Sequence, residues 1–121
     1  MSTIKVGTLL AADGSTTTQP SIPALDKRMA QAWIKFKGNA TVAILASYGV
    51  SSLTDHGTGS YYVNFSTAFA DANYAFTSSS NQTTCNSCGN TESGSVFRFM
   101  VRSDSGTFTD ADICASSFFS N

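Results

Sequence analysis

Apolar positions along this chain recur at every second residue in several short runs, and good helix formers cluster in one stretch only. In residues 41–47 (TVAILAS), Val42, Ile44 and Ala46 alternate with Ala43 and Leu45; in residues 61–67 (YYVNFST), Tyr61, Val63 and Phe65 alternate with Tyr62 and Asn64. Together with residues 33–37 (WIKFK) these runs predict three strands, separated by Gly38-Asn39 and by the Gly/Ser-rich residues 49–60. Residues 33–74 therefore read as an antiparallel β unit. Inside the spacer, residues 55–59 (DHGTG) read as the tightest turn, two glycines supplying positive φ.

Further strands are expected at residues 74–80 (YAFTSSS), 96–102 (VFRFMVR) and 112–119 (DICASSFF). Phe97, Phe99 and Val101 share one face of the second run and Val96, Arg98, Met100 and Arg102 the other, so both faces need cover from a second sheet or a subunit contact. In the last run Ile113, Ala115, Phe118 and Phe119 are expected to pack on the core. Residues 81–95 (NQTTCNSCGNTESGS) have no apolar period and read as a surface loop.

Residues 3–10 (TIKVGTLL) suffice for one edge strand or an extended arm. Both prolines fall in residues 15–24, which rules out a central strand or a helix interior there. Residues 25–32 (LDKRMAQA) hold helix formers, but eight residues are marginal as a helix alone, so a short helix and a lead-in to the Trp33 strand both stand. The chain divides into an N-terminal attachment arm or linker, residues 1–30, and a β domain, residues 31–121.

The central string resembles a domain found near the C-termini of tailed-bacteriophage virion fibres. The matching positions are Ala32, Trp33, Phe36, Gly38, Thr41, Val42, Ala43, Ile44, Ser47, Val50, Ser51, Ser52, Thr54, Asp55, Gly57, Thr58, Gly59, Tyr61, Val63, Asn64, Phe65, Thr67, Asp71, Asn73 and Tyr74, in register over a span of about a third of the chain. His56 departs from that pattern, which usually has a different polar residue there, and residues 81–95 depart most. The resemblance implies an all-β, antiparallel β-sandwich knob, assembled as a homotrimer, with the N-terminal arm held by another virion protein. It implies a place in a virus particle, exposed on its surface after synthesis in the host cytoplasm, and contact with a host-surface glycan or receptor. It implies no reaction.

Composition agrees. The chain has 121 residues and a mass of 12.7 kDa, enough for one core. Charged residues make up 12%, whereas Ser and Thr number 34, and nine Phe, four Tyr and one Trp supply bulk: a polar, weakly charged surface over an aromatic interior. The plentiful aromatic and β-branched residues argue against disorder. Five cations against two acids give residues 1–37 a charge of +3; two against six give residues 38–121 a charge of −4. The basic segment suits an acidic partner surface or a solvated patch. A pI near 5.5 without a basic stripe argues against nucleic acid. No apolar run approaches the length that crosses a bilayer, and no signal-peptide pattern opens the chain. Asn39, Asn64 and Asn81 head N-x-S/T triplets, read as chance occurrences.

Candidate chemistry is sparse. Saccharide sites pair exposed rings with amides and carboxylates, and Tyr48, Asp55, His56, Tyr61, Tyr62 and Asn64 could supply them, although Tyr48 and Tyr61 also suit a core or interface. Cys85 and Cys88 have C-x-x-C spacing, compatible with a local disulfide, two free thiols or a redox pair. A zinc site would need Cys85, Cys88, Cys114 and His56 to converge, or a ring of His56 side chains about an oligomer axis; the expectation is no metal and no cofactor. Cys114 reads as a small core residue. Nothing selects a catalytic pair among Asp55, Asp71, Glu92, Asp104, Asp110 and Asp112, and no nucleophile elbow occurs, so an enzyme is not expected. Two other roles fit: a capsid decoration or baseplate protein without receptor contact, and a carbohydrate-binding module.

Overall fold

A computed structural model describes residues 2–15, 22, 28–81 and 85–120. The chain is all-β, with no helix among those residues. Eight strands form: β1 (Ala32–Lys37), β2 (Ala43–Tyr48), β3 (Val50–Gly57), β4 (Ser60–Phe65), β5 (Ala75–Ser80), β6 (Cys85–Thr91), β7 (Val96–Ser103) and β8 (Cys114–Phe119). They build two antiparallel sheets of order β2-β1-β8-β5 and β3-β4-β7-β6, packed face to face in the manner of a β-sandwich.

Alternation explains which faces meet. In β1, Ala32, Ile34 and Phe36 are buried while Trp33, Lys35 and Lys37 are exposed. From the facing sheet come Tyr61, Val63 and Phe65 of β4 and Phe97, Phe99 and Val101 of β7, and β8, beside β1, adds Cys114 and Phe118. Aromatic rings join the two sheets: Phe36 lies 5.1 Å from Tyr61 and 5.2 Å from Phe99, and Phe118 lies 4.8 Å from Phe65 and 4.9 Å from Phe97. These are edge-on contacts, each worth about 0.5–1.5 kcal/mol beyond burial.

Two expected loops are strands. β3 occupies most of the Gly/Ser-rich spacer, and β6 runs through the expected loop at residues 81–95. Val50 and Leu53 are three apart, which a regular strand would send to opposite faces; a register shift between Val50 and Ser52 realigns them opposite Phe65 and Val63, both core residues. That bulge hides the period. β6 contains no large apolar or aromatic residue and is held along seven positions by main-chain pairing with β7. Gly89 is required there, because a Cβ would collide with the Phe97 ring. His56 accordingly sits in β3, and only Thr58 and Gly59 turn.

A second shift, between Lys35 and Phe36, breaks the alternation of β2: Ile44 pairs with Phe36, Ala46 with Lys35, and Leu45 has no partner across the ladder. Every residue of β2 is exposed, including Ile44, Leu45 and Tyr48. In β8 only Phe118 of the four expected residues enters the core; Ile113, Ala115 and Phe119 alternate away from it and are half-buried. Residues 3–10 form no strand and are exposed. Residues 25–27 of the candidate helix lie outside the described residues, and residues 28–31 are turn and bend leading into β1.

Candidate recognition face

The outer face of the second sheet gathers the densest set of polar side chains. Outward parity on β4 belongs to Tyr62 and Asn64, since Tyr61, Val63 and Phe65 are committed to the core. Register then adds neighbours: Thr54 lies across from Tyr62, Tyr62 from Arg98, and Arg98 from Asn90, while Ser52, Asn64 and Val96 form the adjoining row. A shallow groove of about 360 Å³ runs between Thr54, Tyr62, Asn64, Glu92, Ser93 and Val96.

Hydrogen bonds fix these groups. The Asn64 amide donates to Ser52 Oγ at 3.0 Å and to Thr54 Oγ1 at 3.2 Å, which commits both of its hydrogens and leaves its carbonyl oxygen as the acceptor presented to a ligand. Asn90 Nδ2 donates to Glu92 Oε1 at 3.0 Å. Arg98 Nε donates to Ser60 Oγ at 3.1 Å, and the Phe108 ring lies under both Arg98 and Arg102, at 5.9 and 4.5 Å. His56 packs on Tyr62 with ring centres 4.7 Å apart. Amide, hydroxyl, carboxylate and guanidinium groups around a half-exposed ring can satisfy the hydroxyls of a small polar ligand.

Of the six expected binding residues, the fold brings His56, Tyr62 and Asn64 together. Tyr61 does not belong: it is fully buried, and its hydroxyl bonds to the Gly38 carbonyl and to Asp110 Oδ1. Burial, reinforced by the Asp110 carboxylate, raises its pKa far above the usual phenol range. Asp55 is exposed but pairs across with the inward Tyr61, so it has the parity opposite to Tyr62, and its carboxylate accepts the Gly57 N–H at 3.0 Å. Tyr48 lies on the other sheet, beside Trp33, at the rim of a recess of about 570 Å³ formed largely by the loop of residues 66–70. Arg98, Asn90 and Val96 are additions that strand register supplies, and Glu92 follows through its bond from Asn90.

The cysteine expectations change. Cys88 is a free thiol. Cys85 and Cys88 lie three residues apart on one extended strand, about 10 Å between Cα atoms at the usual rise per residue, beyond the span of a disulfide. Cys114 is a buried free thiol in the core, pushed up to about 12 by desolvation and then by Asp110, and so protonated at neutral pH. His56 and Cys88 stand on strands at opposite edges of the second sheet, and Cys114 belongs to the first sheet. Among the described residues no three His, Cys, Asp or Glu side chains cluster as metal ligands, and no helix is long and apolar enough to cross a membrane. No protein-family model matches the chain, and neither a curated protein nor a solved structure matches it.

Proposed function

We propose that this chain is a non-enzymatic structural protein of a tailed-phage virion, a self-associating β knob that displays the outer face of its second sheet to host-surface saccharides. The observation that carries the reading is β2. An unpaired edge strand, uncharged and exposed on both faces with Ile44, Leu45 and Tyr48 open to solvent, is a template for a second chain unless something covers it. A homotrimer covers it symmetrically, as the resemblance implies. Residues 1–30 then serve as the arm to another virion protein, consistent with the exposed Ile4, Val6 and Leu9. The groove beside Tyr62 and Asn64 supplies the polar contacts that a glycan needs.

Native mass of the purified chain tests the assembly. A species of three times 12.7 kDa, with Leu45→Lys shifting it to monomer, is the expected result. A 12.7 kDa monomer at every concentration overturns self-association and favours a decoration subunit that orders on its particle.

A further inference from the structure

We propose that the outer face of the first sheet is a separate binding site for an acidic saccharide, a sugar chain bearing carboxylates, with Trp33 as the stacking platform and Lys35 and Lys37 as the counter-charges. The site lies on the opposite side of the sandwich from the groove at Tyr62 and does not depend on that groove, while β2 adjoins it through the Trp33–Tyr48 pair.

Register builds the site. Trp33, Lys35 and Lys37 are the outward residues of β1. On β8 the outward positions facing them are Ser117 and Ala115, and across from those on β5 stand Thr77 and Ser79. Each row thus runs from a large side chain through a small one to a hydroxyl: Trp33, Ser117, Thr77, and then Lys35, Ala115, Ser79. Small residues on the middle strand leave a trough of about 390 Å³ between β1 and β5, some 10 Å across at the usual strand spacing.

Its chemistry points to one ligand class. Trp33 is 41% exposed, although it is the largest apolar side chain in the chain and the single tryptophan. An indole face packs on the C–H face of a sugar ring. Ser117 and Thr77 hydroxyls lie 2.6 Å apart and, with Ser79, offer donors and acceptors along the far side. Tyr48, directly across the ladder from Trp33, adds a second ring on the β2 side, and the trough itself is lined mostly by small or hydroxyl-bearing residues. Charge selects an acidic sugar: β1, β2, β5 and β8 contain Lys35, Lys37 and no acid, in a chain whose net charge is −1. Two ammonium groups in a field with no competing carboxylate on the same sheet attract an anion and give the encounter a salt dependence.

The full chain is titrated with hexagalacturonic acid, and with its neutral methyl ester, while Trp33 fluorescence and backbone amide shifts are followed. The expected result is saturable protection of Trp33 from iodide quenching by the acid, with shifts centred on residues 33–35, 77–79 and 115–117. The ester is expected to bind far less, and high salt to weaken the acid. Trp33→Ala is expected to cost about tenfold in affinity and Lys35→Gln about two- to fivefold, with melting temperatures of both variants kept. Tyr62→Ala, on the other face, leaves the shifts at residues 33–35, 77–79 and 115–117 unchanged. Four outcomes overturn the proposal: no binding of the acid, equal binding of acid and ester, shifts that centre on the second sheet and vanish in Tyr62→Ala, or Trp33 shielded from iodide in the free protein in a concentration-dependent way, which would show a second copy lying on the trough.

Discussion

Tyr61→Phe isolates one oxygen atom. The phenylalanine keeps the ring, its edge contact with Phe36 at 5.1 Å and its complete burial, and deletes only the hydroxyl. That hydroxyl joins three segments. It bonds to the Gly38 carbonyl after β1 and lies 2.9 Å from Asp110 Oδ1, which also accepts the Gly59 N–H of the β3–β4 turn at 2.8 Å. Gly38 in turn donates its N–H to Ala111 O at 3.1 Å, on the segment leading into β8. A hydrogen bond to a charged group contributes about 1.5–3 kcal/mol, and a buried carbonyl left without its donor costs about 1–3 kcal/mol. The two overlap, so the expected destabilisation is about 2–3 kcal/mol, a fall in melting temperature of roughly 10 °C for a domain of this size. Urea unfolding followed by circular dichroism measures it, with Tyr62→Phe on the outer face as a control expected within about 0.5 kcal/mol of the parent. A double-mutant cycle with Asp110→Ala should show a coupling of about 1 kcal/mol. If Tyr61→Phe unfolds within about 0.5 kcal/mol of the parent, the claim that this hydroxyl binds the three segments together is wrong.

Ala40 holds a positive φ of 52° in the β1–β2 turn, a strained conformation for a residue with a Cβ, and Ala40→Gly is expected to raise stability by about 0.5–1 kcal/mol in the same urea assay. Alkaline pH should unfold the protein. Cys114 is protonated in both states below about 9; above that the unfolded thiol ionises while the folded one holds its proton to about 12, so stability falls as pH rises through this window, and Cys114→Val should flatten the decline. Melting temperatures recorded from neutral pH upward check both the slope and its loss.

Six strands are legible in the sequence as short runs rich in β-branched, aromatic or small residues, and β1, β4 and β7 also keep two-residue alternation with large apolar side chains on one parity, as Phe97, Phe99 and Val101 do in β7. β3 is not, since its bulge places Val50 and Leu53 out of step, and β6 is not, since it has no large apolar side chain to alternate. Tyr62 and Asn64 are findable from β4 alone. The parity Tyr61 shares with Val63 and Phe65 already marks it as interior, and that signal outweighs its ring chemistry. Arg98 and Asn90 join the face beside Tyr62 only through the pairing of β4 with β7 and of β7 with β6, contacts between residues far apart in the chain that no local period encodes.

The way β6 is held has a consequence for sequence drift. A strand secured by its main chain asks little of its side chains, so outward positions such as Cys88 and Asn90 can be rewritten without loosening the sheet, while Gly89 must stay open for the Phe97 ring. Because Asn90 borders the row that holds Tyr62 and Arg98, the second sheet's outer surface has an editable margin beside a fixed frame. On the proposed reading, ligand preference changes here by single substitutions, at almost no cost to folding.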